Sequence, residues 1–142
     1  MKRLTLLFYA LCLLSSVALA QIAPNVTRTR IAGIDVLLYP TGVKNVVNLK
    51  GSLPAGDVFS KDTNPAVATL TGMLLDQGTT KQDKFAIAAK LEAVGATLDF
   101  SVGNELVEIS AKCLKKDVPL VVELIAEQLR TPALSAEEFE KA

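Results

Sequence analysis

Residues able to do chemistry are few in this 142-residue chain. It carries 15 acidic residues and 2 cysteines but no histidine. Without histidine, a Ser-His-Asp or Cys-His triad is impossible within it, and the common His-based zinc ligand sets are absent. No glycine-rich phosphate loop ending in Lys-Ser/Thr is present. Cys113 is a lone thiol on the apolar side of an alternating run and is read as buried and inert. Two carboxylate pairs occur, Glu105 with Glu108 and Glu137 with Glu138; they read as a solvated face and a helix start. Asp76 sits beside a helix C-cap and is expected to be exposed. The stretch "TLTGMLLDQGT", Thr69 to Thr79, is less ordinary. It has the form of a core helix ending at a glycine, yet Thr69, Gly72 and Met73 occupy one stripe. Gly72 costs roughly 1 kcal/mol relative to Ala, which suits a helix that another element must approach closely.

The elements that would position these residues follow from periodicity and punctuation. "RIAGIDVLLYP" reads as two short strands, or one bent at Gly33, ending at Pro40. Val46 to Leu53 reads as the next strand. Asn64-Pro65 marks a helix start, a side-chain acceptor followed by proline at the first helical position. That helix is expected to run to about Gln77, with Gly78 as its stop. Thr79 or Thr80 is expected to cap a second helix, whose face is Ile87, Leu91 and Val94 and whose stop is Gly95. Leu98, Phe100 and Val102 alternate with polar residues, and so do Val107, Ile109, Ala111 and Cys113. Gly103-Asn104 is expected as a two-residue turn between them. Asp117 is expected to cap a third helix with the stripe Val118, Val122, Ile125 and Leu129, stopped at Pro132. Ser135 and Glu138 have capping-box spacing for a fourth. The order ββααββαα comes in blocks, which predicts an α+β fold: an antiparallel-rich sheet with helices packed on one face.

The first twenty residues read as a secretory signal peptide: Lys2 and Arg3, an apolar run from Leu4 to Leu14, and a small-x-small site at Ala18-Leu19-Ala20. The run is too short for a membrane span, and no cysteine follows the cleavage site to carry a lipid, so no stable membrane anchor is expected. Cys12 would leave with the leader. The expected location is the periplasm or outside the cell. Removing Lys2 and Arg3 leaves 13 basic and 15 acidic residues, so nothing suggests nucleic acid as a partner. With Cys113 alone, no internal disulfide can form, and stability must come from the apolar core. The sequon Asn25-Val26-Thr27 is read as chance. Residues 21–29 are read as a linker and 30–142 as one domain, incomplete at its C-terminus because "SAEEFEKA" stops after about two turns of helix.

Five segments in order add what composition cannot: "GIDVLLYP", "NLKGSLPAGDVFSKD", "PAVATLTGMLLDQGTT", "KLEAVGATLDFSVGNELVEISAKCL" and "LVVELIAEQLRTPALSAEEFEKA". Over residues 30–142 the chain resembles the N-terminal part of the insulinase/pitrilysin family of metallopeptidases, which includes the mitochondrial processing peptidases. Active members carry H-x-x-E-H on the first helix. Two histidines at i and i+4 hold zinc on one helix face, and the glutamate serves as general base. Counting back from Gly78-Thr79, the resemblance places those positions on Thr69, Gly72 and Met73, none of which can serve. It implies no cofactor here, where active members hold zinc. It therefore implies a non-catalytic subunit or domain that binds peptide or unfolded polypeptide and supports a catalytic family member as its partner. Peptide addition to a sheet edge is the binding mode the resemblance suggests. Two alternatives remain at this point. One is an active metalloendopeptidase whose metal site lies in later sequence, and the other is a structural scaffold with no peptide role.

Overall fold

The computed structural model describes residues 25–60, 64 and 66–141. The expected signal peptide and Pro65 lie outside the described residues. The chain divides into two compact units, one up to Gly42 and one from Val43 onward.

The described part of the first unit is a hairpin. Strands β1 (Thr27–Ile31) and β2 (Ile34–Leu38) pair antiparallel, with Ile31 opposite Ile34 and Thr27 opposite Leu38. The chain reverses at Ala32-Gly33, both with positive φ (49° and 87°), the combination that matches strand twist in a two-residue turn. So "RIAGIDVLLYP" is two strands, and the first begins at Thr27, three residues inside the stretch read as linker. Ile31, Ile34, Val36 and Leu38 share one side of the hairpin by the strand alternation.

The second unit is built on a three-stranded antiparallel sheet with β5 in the middle, in the order β3-β5-β4. Strands β3 (Val46–Leu53), β4 (Thr97–Val102) and β5 (Val107–Leu114) have the residues their alternation predicts. Val107, Ile109, Ala111 and Cys113 are buried, and the residues between them are exposed. Their cross-strand partners on the same face are Leu53, Gly51, Leu49 and Val47 of β3, and Val102, Phe100 and Leu98 of β4. Helices α1 (Ala66–Leu74), α2 (Lys84–Ala93), α3 (Val118–Arg130) and the short α4 (Ala136–Phe139) complete the unit. The helices α1, α2 and α3 contact the sheet. The other face carries Lys50, Asp99, Ser101, Glu108, Ser110 and Lys112 to solvent. This is the α+β arrangement expected, one wet face and one covered.

Helix starts and stops follow local chemistry. The Asn64 side chain accepts from Ala66 N at 3.0 Å, as its capping role requires. After Leu74 the helical pattern tightens to i→i+3 bonds, Leu75 N to Gly72 O and Gln77 N to Leu74 O, so α1 proper ends three residues earlier than expected. Gly78 (φ 116°) and Gly95 (φ 62°) supply the left-handed stops after α1 and α2. The cap of α2 is Asp83, which accepts from Ala86 N at 2.8 Å, and not Thr79 or Thr80. The Thr79 hydroxyl is committed elsewhere, as described below. The β4–β5 connection is four residues, Gly103–Leu106, closed by Gly103 N donating to Leu106 O, and not the two residues Gly103-Asn104 suggest. Glu105 and Asn104 leave the ladder because their carbonyls accept from Gly56 N and Val58 N in the 3₁₀ turn region Asp57–Phe59.

The stripe of α3 is rotated from the expected one. Its buried residues are Val121, Leu124 and Gln128, while Val122 is 47% exposed. Asp117 precedes α3 but makes no capping bond, and its Oδ2 is buried without a partner. Val121 packs with Ala96, Ala111 and Cys113 at the centre of the core, flanked by Val118 and Ile125. Cys113 is 3% exposed. Burial, reinforced by the nearby Asp117 charge, pushes its thiol pKa upward. A native-state thiol titration is therefore expected to leave Cys113 unlabelled until the protein is denatured. Labelling at the rate of a free thiol under native conditions would show that the core opens readily.

Candidate functional site

The stripe Thr69, Gly72, Met73 lies on α1, beside the edge strand β4. Thr69 Oγ1 sits 3.1 and 3.2 Å from the two carboxylate oxygens of Asp57. That bond ties the helix to the 3₁₀ turn in front of it. Gly72 is buried. A Cβ built on it would stand 1.9 Å from Val102 Cγ2 and 3.3 Å from Val102 Cβ, far inside contact distance. The glycine therefore exists to let β4 close onto the helix. Met73 is 48% exposed, a thioether at the surface.

These residues do not fit a zinc ion. Thr69 spends its proton on Asp57, Gly72 has neither a side chain nor room for one, and a thioether is a poor ligand for catalytic zinc. Among the described residues, no group of three or more His, Cys, Asp or Glu is placed to hold a metal. Of the expected carboxylate pairs, Glu105 and Glu108 are exposed, as is Asp76. Glu138 differs from expectation. Its side chain is only 16% exposed and pairs with Lys84 Nζ at 2.6 Å and Lys141 Nζ at 3.2 Å. Ser135 Oγ accepts from Glu138 N as half of the expected capping box, while the Glu138 carboxylate reaches across to α2 through Lys84.

A polar cluster missed by sequence reasoning holds the loop behind α1. Buried Thr79 donates its hydroxyl proton to Glu127 of α3 and accepts from Lys81 N and Gln82 N, each at 3.2 Å. Gln82 Nε2 also donates to Glu127, at 3.2 Å to both oxygens. The backbone joins in, with Thr80 N donating to Thr131 O and Ala133 N to Gly78 O. The Thr79 hydroxyl, then Gln82 and the charges of Lys81 and Lys90, hold the Glu127 carboxyl below its ordinary pKa against the opposing effect of burial. Lys84 and Lys141 do the same for Glu138. Both folded-state pKa values are depressed. Their stabilisation is thus present above the ordinary glutamate range and lost as pH falls through the folded values. Denaturant midpoints are expected to drop below about pH 4.3, and Glu127→Gln and Glu138→Gln should each flatten that drop. An unchanged acid slope in both variants would remove these two groups as its cause.

An antiparallel sheet with one open face, helices packed on the other and a first helix packed against β4 define an α+β half-domain. The model of the insulinase family (peptidase family M16) matches residues 40–142, and the chain belongs to that family. It is 28% identical over 132 residues to the mitochondrial-processing peptidase subunit beta of Bos taurus, which covers 89% of this chain and 26% of the relative. The subunit beta of Homo sapiens is 27% identical over the same length and coverage of this chain. The chain thus spans about a quarter of the curated relatives it matches. Among solved structures, a peptidase M16 inactive domain from Pseudomonas fluorescens superposes with a TM-score of 0.73 at 25% identity, covering 80% of this chain and 28% of that one. A point mutant of the ferredoxin protease FusC, in complex with Arabidopsis ferredoxin, shares the fold at a TM-score of 0.69 and 18% identity, over 80% of this chain and 13% of that one.

Proposed function

We propose that this domain is an exported, non-catalytic member of the family that binds extended polypeptide and supports a zinc-bearing family partner. The observation that carries the reading is Gly72 seated under Val102. The resemblance sets the family's general base at this position, and the close approach of Val102 to Gly72, which leaves no room for a side chain there, supports a non-catalytic reading. The similarity to an inactive M16 domain agrees with it. So does the similarity to a subunit of a processing peptidase, which supports a hetero-partner, and to a protease seen with a protein bound, which supports a polypeptide ligand.

The binding seat is the free edge of β4. Among the described residues this strand pairs on one side only, with β5. An extended peptide can satisfy the outward N–H and C=O groups as an added strand. Behind the edge, a recess of about 310 Å³, lined by Phe85, Ile87, Leu91 and Leu98 but also by Gln128 and the charged Asp76 and Lys84, can take a side chain of that peptide against its apolar wall. The testing experiment uses the full-length mature protein. Bound zinc and peptide cleavage are measured alone and with a zinc-bearing relative, and amide exchange is followed with an extended peptide added. The expected result is no stoichiometric zinc, no cleavage alone, association with the relative, and slowed exchange in residues 97–102. Stoichiometric zinc with partner-free cleavage would overturn the non-catalytic reading. Slowed exchange in β3 instead of β4 would move the seat.

A further inference from the structure

The edge of β4 has a charge pattern as well as free backbone groups. Its outward row is Thr97, Asp99 and Ser101, all exposed. The β5 residues beside them are Lys112, Ser110 and Glu108 in that order. Among the described residues, no hydrogen bond or ion pair engages the Asp99 carboxylate. A strand added at this edge would set every second side chain on the open face, flanking this row. Its other side chains would fall on the covered side, near Leu98, Phe100 and the recess behind them. The middle of the open row is an unpaired carboxylate, with Glu108 one strand further in, beside Ser101. The only cation in those two rows, Lys112, lies at the Thr97 end and one strand back from the edge.

We infer that Asp99 makes this edge selective for extended peptides that alternate apolar residues with basic ones. The inference rests on the peptide-binding reading above and names its ligand class. An opposite charge directly across a strand pair stabilises and a like charge destabilises. An acidic side chain beside Asp99 meets repulsion, and a lysine or arginine meets the unpaired carboxylate. The same residue acts against pairing with a second copy of this chain, since a register that sets Asp99 opposite itself brings two carboxylates together. A lone charge on an exposed edge is a common device against such pairing.

Three labelled eight-residue peptides test this against the full-length protein by fluorescence anisotropy. They share apolar residues at alternate positions and carry Ser, Lys or Glu at the others. The expected order of affinity is Lys over Ser over Glu, with about a threefold to fivefold step each way, shrinking in 0.5 M salt as screening demands. Asp99→Asn is expected to keep the affinity for the Ser peptide and to collapse the spread among the three. Binding of the Ser peptide with no preference between Lys and Glu overturns this inference and leaves the peptide-binding reading standing. A preference that persists in Asp99→Asn assigns it to another group and also overturns it. Binding by none of the three removes the edge site and both readings with it. Self-association that strengthens in Asp99→Asn, seen by sedimentation, would confirm the role against self-pairing.

Discussion

Gly56→Ala is expected to cost about 3 kcal/mol or more, at the upper end of what overpacking does. The added methyl would lie 2.3 Å from Asn104 O and 2.4 Å from Gly103 O. Both are backbone atoms of the β4–β5 connection, and backbone cannot swing aside as a side-chain tip can. Relief requires the 56–58 segment to lift off the connection. That movement breaks the Gly56 N to Glu105 O and Val58 N to Asn104 O bonds, each with its own cost of about 1 kcal/mol. The helix tie from Asp57 to Thr69 would loosen as well. Chemical denaturation of the variant against the parent checks this. A loss under about 1 kcal/mol would mean that the turn region adapts, and that its close seat on the connection contributes little.

Gly72→Ala is the second large effect, and it comes with an internal control. Alanine should help a helix by roughly 1 kcal/mol, so any net loss must come from the collision with Val102. The obstructing atom belongs to a side chain, but valine is stiff at χ1 and its Cβ is itself only 3.3 Å away. A net destabilisation of about 1–3 kcal/mol is expected. Val102→Ala alone should also destabilise, by removing methyl groups from a packed contact. Together the two changes should cost less than their sum by at least about 1 kcal/mol, the signature of residues in direct contact. Simple additivity would show that Gly72 and Val102 do not meet. The same contact bears on the three positions where the resemblance sets the family's metal motif. Gly72→Glu beside Thr69→His and Met73→His should fail to give a folded zinc-binding helix unless Val102 is trimmed first.

How much of this was legible in the sequence depended on the range of the signal. Strands β3, β4 and β5 were, because a period of two across six to eight residues has few competing readings. The stop glycines were legible for the same reason: a positive φ at Gly78 and Gly95 is a local requirement. The stripe of α3 was not. "VPLVVELIAEQLR" is apolar around most of its girth, so two stripes fit the pattern. The true one contains Gln128, 1% exposed, which a hydrophobicity count assigns to the surface. The partnership of Thr79 with Glu127 joins residues 48 apart and leaves no spacing to read. The local rule that made Thr79 a helix cap lost to that distant carboxylate. Gly72 stood between these cases. Its small size was visible as an oddity, and the resemblance explained what was missing there. The structure alone showed that Val102 fills the space beside it.

The sheet has a consequence for the order in which the protein can assemble. Its middle strand is the last of its three to be synthesised, since β3 and β4 both pair with β5. Val46 finds its partner only at Leu114. A growing chain therefore carries β3, both early helices and β4 with no ladder to join until residues from 107 onward emerge. The staples from Thr79 to Glu127 and from Lys84 to Glu138 close later still. Pairings this distant in sequence slow folding because the loop must close before the contacts reward it. The nascent chain thus cannot lock this sheet until residues 107–114 have emerged, a delay that would suit the export proposed above by leaving time to thread a translocation channel.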